Sequence, residues 1–280
     1  MAREAQRDPA GLSRAGAAPG AGEATTGGAR RALLAGLIDH AALFPPAELP
    51  MDAALEVDRQ ARETPEAWML NRFIVPASQL DRVPADFAPP LSVVLDTDEL
   101  PDLTGRRVEL VEARLARAAA VEHAPARVFL EVWPADEGQL RTVADAGASA
   151  KVRCGGPTPD MFPSPAQLAS FITGCRELGL AFKATAGLHH PIRDGIVHGF
   201  LNLLGAAVLA HAGGAAPREL VAVLLEEDAA AFEVTDEAFT VRGRAFGTEE
   251  VAAARERLFI GYGSCSFSEP VEDLKGLRIL

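Results

Sequence analysis

The chain has 280 residues, 48% hydrophobic and 24% charged, enough for one large domain or two small ones with a sizeable core. Its formal net charge of −12 argues against nonspecific binding to nucleic acid or to an anionic membrane surface, because the body of the protein would repel both. Cys154, Cys175 and Cys265 are odd in number and lack metal-ligand spacing, which argues against a disulfide framework or zinc ribbon and suits a cytoplasmic location.

Residues 1–29 are rich in Gly, Ala, Pro, Ser and Thr and are expected to form a disordered tail. They lack the apolar stretch of a signal peptide. A transit peptide is the alternative, against which Glu4, Asp8 and Glu23 count. No run approaches the roughly 18 apolar residues of a membrane span. Residues 30–280 are expected to form a single domain.

From residue 33 onward, short runs rich in Val, Ile, Leu and Phe alternate with stretches of helical period, the pattern of a parallel sheet with crossover helices. Strands are predicted at 36–43, 72–77, 91–96, 108–114, 128–133, 150–155, 182–187 and 259–267. Helices are predicted at 51–64, near 78–83, near 98–103, and at 113–123, 135–147, 164–180 and 198–212. Eight strand–helix repeats in about 250 residues is the count of an α/β (β/α)8 TIM barrel. A doubly wound open sheet is the competitor, but GxGxxG and GxxxxGK[ST] are both missing. The stretch at 232–246 alternates like a hairpin and is read as a small insertion before the last strand, a lid or a contact surface.

In such a barrel, polar residues at the C-terminal strand ends converge on the site. The candidates are Asp39 and His40, Asp96, Glu109 and Glu112, Glu131, Lys151 and Arg153, Lys183, His189 and His190, and Tyr262, Ser264 and Ser266. Lysine is the informative residue type, since only Lys151, Lys183 and Lys275 occur against 24 arginines. Arg stays charged, whereas a Lys amine can lose its proton and attack a carbonyl. Strand alternation puts Lys151 and Arg153 on one face of their strand, with Val152 and Cys154 on the other, and Lys183 and Thr185 likewise share a face. Two inward ammonium groups about 6 Å apart would repel by roughly 3 kcal/mol at an effective dielectric of about 20. That repulsion, helped by desolvation, is expected to lower an amine's pKa toward neutrality. The bland reading leaves both lysines as snorkelling residues at strand ends.

GLIDHAALFPPAELPMDAALE, RFIVPASQL, VELVEA, KATAGLHH and IGYGSCS together resemble the deoxyribose-phosphate aldolase family of class I aldolases. The resemblance implies a Schiff-base Lys on strand six, here Lys151, and a pKa-lowering Lys on strand seven, here Lys183. It further implies proton transfer by an acidic residue of strand four, Glu112 in preference to Glu109, and a phosphate turn at Gly263, Ser264 and Ser266. Departures point to a relative with a different substrate. Arg153 stands in the stretch after the strand-six Lys, His189 and His190 replace the strand-seven Arg, and the terminal tyrosine tail is missing.

The expected function is a cofactor-independent lyase or aldolase acting through a Lys Schiff base on a small anionic carbonyl substrate. Lys151, Lys183, Glu112 and Asp39 would carry the chemistry, with Arg153, His189, His190, Gly263, Ser264 and Ser266 binding substrate. Ser266 and Glu269 equally have the spacing of a helix capping box. One alternative is a divalent-metal lyase or isomerase using one of the histidines with Asp39 and Glu131. The other is a non-catalytic barrel used as a binding scaffold. Neither a nucleic-acid nor a membrane partner is expected, and a homo-oligomer is left open.

Overall fold

A computed structural model describes residues 27–133 and 137–280. Eight parallel strands close into a barrel: β1 (Ile38–His40), β2 (Leu70–Pro76), β3 (Leu91–Val94), β4 (Val108–Arg114), β5 (Arg127–Val132), β6 (Ser149–Arg153), β7 (Phe182–Thr185) and β11 (Phe259–Ser264). Their order around the barrel is the chain order, with β11 closing between β7 and β1. The strands are buried on both faces, so their sequences read as apolar runs and not as alternating ones.

The helices are α1 (Gly28–Leu34), α2 (Met51–Arg62), α3 (Glu137–Asp145), α4 (Pro165–Glu177), α5 (Phe200–Gly213), α6 (Pro217–Leu224), α7 (Thr248–Arg257) and α8 (Ser268–Gly276). Short 3-10 turns at Ala77–Arg82 and Leu115–Val121 stand where the helical period predicts full helices after β2 and β4. The stretch at 98–103 forms no helix: it bends at 98–99 and then runs irregularly, with Asp102 accepting from the Thr104 backbone N–H at 2.9 Å. The α4 helix begins with a complete capping box, Ser164 and Gln167 each bonding the other's backbone N–H, and carries Pro at its first position. No helix among the described residues is long and apolar enough to cross a membrane.

Two sequence expectations change here. The tail expected over 1–29 lies outside the described residues up to 26, but Gly28 and Ala29 already belong to α1, with Ala29 fully buried. The insertion is a three-stranded antiparallel sheet, β8 (Phe232–Val234), β9 (Ala238–Val241) and β10 (Arg244–Gly247), and it is not a lid. Its Phe232, Val234, Phe239, Val241 and Phe246 are buried, and it packs against α1 and α7. The backbone at Thr235 and Asp236 also accepts from the first N–H groups of α1, satisfying donors that a helix start leaves free. This cover helps explain why α5 is apolar all round: it packs against α4, α6 and α7, and Phe232 and Val241 of the sheet lie against its Gly205.

Candidate active site

The barrel opens into a cavity of about 930 Å3 lined by residues from the C-terminal strand ends and the loops that follow them. Glu112, Glu131, Lys151, Arg153 and Thr185 reach it from β4 to β7, and Gly263 and Cys265 from the end of β11. The loop that follows β7 shapes one side. Ala186 and Gly187 both have positive φ, 61° and 70°, and turn the chain so that Leu188 is buried while His189 returns to the cavity.

Gly187 is required by space as well as by φ. A Cβ there would lie 3.0 Å from the Cα of Gly155 and 3.2 Å from the carbonyl oxygen of Cys154, so the loops after β6 and β7 touch backbone to backbone. Gly187→Ala is expected to cost about 2 kcal/mol or more, because backbone has no rotamer with which to yield. Thermal unfolding measures it, and an unchanged midpoint would refute the close approach.

At the base of the cavity, Lys183, Asp39, Glu112, Lys151 and Glu131 form the centre of one ionic network. Lys183 is fully buried and donates to Asp39 Oδ2 at 2.7 Å and to Glu112 Oε1 at 2.5 Å. Lys151 Nζ lies 2.8 Å from the other Glu112 oxygen and 3.1 Å from Glu131 Oε2. Ser92 adds a hydroxyl donor to Glu112 at 2.6 Å. Asp39 is held from its other oxygen by the Arg72 backbone N–H at 3.2 Å and guanidinium at 3.4 Å. Adjacent registry of Lys151 with Lys183, and of Glu131 with Lys151, follows from strand pairing.

The network overturns the expected electrostatics. The two amines are neighbours, as alternation implies, but Glu112 sits between them and bonds both. Burial alone would push the Glu112 carboxyl up; the Lys151 and Lys183 charges pull it further down, so it lies well below the usual carboxylate range. Burial alone would push the Lys151 amine down; Glu112 and Glu131 outweigh it and hold the amine above its ordinary value. A lowered Lys151 pKa is therefore corrected to a raised one, because an anion occupies the space in which only repulsion was expected.

Of the two lysines, Lys151 lines the cavity and Lys183 lies beneath it. Arg114 and Arg153, at the ends of β4 and β6, also line the cavity, and their side chains make no hydrogen bond or ion pair with a described residue. Arg117 lines it too, anchored to the Thr97 carbonyl and to Asp98 at 3.1 Å.

Other expected site residues fall elsewhere. His190 does not face the cavity; it pairs with Asp273 of α8 at 2.7 Å and lines a shallower depression on the outside. The expected phosphate turn is also corrected. Ser264 is buried and donates to the Ser266 carbonyl at 2.7 Å, while Ser266 Oγ accepts from the Glu269 backbone N–H at 3.2 Å. Their polar groups are thus used on the start of α8, and of that turn Gly263 alone lines the cavity with Cys265. Asp96 accepts from Ser78 at the rim. His40 is a buried structural histidine, bonded to Asp58 at 3.0 Å. Glu109 pairs with Arg72 and Arg107 away from the cavity.

Ser92, Arg114, Arg117 and Cys265 were not singled out as site residues from the sequence. Arg114 ends β4 and Arg117 lies just beyond it, so a basic residue at a strand end is the signal that could have found them; Ser92 and Cys265 carry no such signal. Among the described residues, no three His, Cys, Asp or Glu side chains are grouped so as to hold a metal ion.

No family model matches the chain. A search of curated proteins also found no match. Solved structures of similar fold include the dihydropteroate synthase of Xanthomonas albilineans in complex with 7,8-dihydropteroate, 13% identical with a TM-score of 0.42 over 88% of this chain and 93% of that one. They also include the dihydropteroate synthase of Coxiella burnetii in complex with pteroic acid, 10% identical with a TM-score of 0.42 over 87% and 92% of the two chains. The expected membership of the deoxyribose-phosphate aldolase family is corrected: no family model matches the chain, and the solved structures found are named as dihydropteroate synthases. At such identities the likeness concerns the barrel alone.

Proposed function

We propose that the protein is a barrel enzyme that binds a small anionic carbonyl compound and acts on it as a lyase through an imine at Lys151. The observation that carries this reading is the position of Lys151, a primary amine on the cavity wall with two carboxylates within 3.1 Å of its nitrogen.

The chemistry follows from those contacts. For attack, the ammonium passes a proton to Glu131, the more exposed of its two carboxylate partners, with a side chain 20% accessible. The amine nitrogen then bonds to the carbonyl carbon, and Glu131 returns its proton to the carbinolamine oxygen, so that water leaves and an iminium remains with its positive charge opposite Glu112. That iminium accepts the electron pair when a neighbouring C–C bond breaks. Lys183 and Asp39 hold Glu112 in place and keep it ionised. Arg114 and Arg153, flanking β5 on strands about 10 Å apart, would receive the anionic end of the substrate by their planar forks. Three free thiols fit a reducing cytoplasm.

Borohydride reduction in the presence of small aldehydes, keto acids and sugar phosphates, followed by peptide mapping, tests the reading. Because Glu112 and Glu131 hold the ammonium form, trapping is expected to accelerate steadily from pH 7 to pH 10. It should not level off below the ordinary lysine value of 10.5. Glu131→Gln, which removes one of the two carboxylates, is expected to move the profile to lower pH. A plateau near neutrality in the unmodified protein would contradict the raised pKa.

A further inference from the structure

Cys265 and His189 line the cavity from the ends of β11 and β7, apart from the lysine network. The Cys265 sulfur lies 4.0 Å from His189 Nε2, and His189 Nδ1 lies 3.0 Å from Glu269 Oε2 on α8. With its Nδ1 proton given to the carboxylate, the ring turns Nε2 toward the sulfur. This is the order of groups, nucleophile to base to orienting carboxylate, that activates a thiol. Cys154 and Cys175 offer a contrast: both are fully buried, and burial pushes their thiols up, Cys154 to about 12.

We propose that Cys265, His189 and Glu269 form a nucleophilic thiol site in the cavity wall that takes a soft electrophilic carbon, in particular the β-carbon of an α,β-unsaturated carbonyl compound. The step balances without an oxidant or a leaving group. A sulfur electron pair forms the S–C bond, the C=C pair moves to the α-carbon, and the thiol proton passes to Nε2 and from there to the α-carbon. The ring is suited to carry that proton, since the hydrogen bond to Cys265, opposed by partial burial and helped by Glu269, raises it to about 9. A purely structural role explains less, because the Glu269 side chain is 53% exposed, and ion pairs at such sites contribute little to stability.

The test is N-ethylmaleimide, itself an α,β-unsaturated dicarbonyl, at pH 7, with labelling of each cysteine timed by peptide mapping. Cys265 is expected to react at least about tenfold faster in the native protein than in the same chain unfolded in urea, where His189 is no longer beside it. His189→Gln is expected to remove that advantage, and Glu269→Gln to reduce it. Lys151→Met is expected to leave the Cys265 rate within about twofold of the unmodified protein, since the thiol site does not depend on the amine. Native Cys265 reacting no faster than the unfolded chain, or equally fast in His189→Gln, would overturn the proposal. The comparison of native with unfolded wild type decides it even if a variant fails to fold.

Discussion

Lys151→Arg is expected to abolish borohydride trapping and to lower turnover of the carbonyl substrate by on the order of 10³-fold or more, as loss of a covalent nucleophile does. The substitution is chosen because Arg keeps a cation opposite Glu112 and Glu131, so the network that holds the barrel floor stays charge-balanced. What it removes is the ability to become a neutral amine, since a guanidinium stays protonated. Loss of trapping with a normal unfolding curve therefore separates chemistry from folding. Trapping that persists on Lys183 or Lys275 in this variant would sink the assignment. Turnover that survives the substitution and vanishes on chelation would transfer the reaction to a divalent metal, and absence of both signals with every carbonyl tried would favour a binding scaffold.

The largest stability effect is expected at Lys183. Its ammonium is fully buried between Asp39 and Glu112, and Lys183→Met leaves those two carboxylates facing each other without their shared cation. Breaking a buried ion pair by removing one partner costs about 3–5 kcal/mol, mostly through the charge left behind. Urea unfolding should show that loss, and Asp39→Asn in the same chain should recover part of it by removing one stranded charge. A single-variant loss under about 1 kcal/mol would mean that the network contributes little to the fold.

The same network sets the direction of the pH dependence. Glu112 is held below its ordinary value of 4.5, so its stabilisation is complete above that pH and fades as the pH falls. Lys151 is held above its ordinary 10.5, so its share is complete below that pH and fades as the pH rises through the higher folded value.

Much of this was readable in one dimension. Hydrophobic spacing marked all eight barrel strands, and VELVEAR coincides with β4 end to end. Scarcity of lysine pointed to Lys151 and Lys183, and strand alternation turned Lys183 and Thr185 to one face, as it did Lys151 and Arg153. The bounds that erred did so at strand ends, where a barrel strand leaves its neighbours: 36–43 shrinks to Ile38–His40, because Ala41 bonds the Ser264 carbonyl and the chain then turns at Phe44.

What alternation cannot supply is stagger and closure. Period two says which side of the sheet a residue takes, but not which residues of non-adjacent strands meet across the interior. Asp39 comes within 2.7 Å of Lys183 only because β11 closes the barrel between β7 and β1. Glu112 enters between the two lysines from β4, two strands from β6, for the same reason. Hence the sequence by itself determined the barrel, its count of strands and the inward lysines, all local consequences of residue spacing. Tertiary structure alone decided the sign of the Lys151 pKa shift, the turning away of His190 and the meeting of Cys265 with His189, because each depends on a distance between strands or loops that spacing along the chain does not contain.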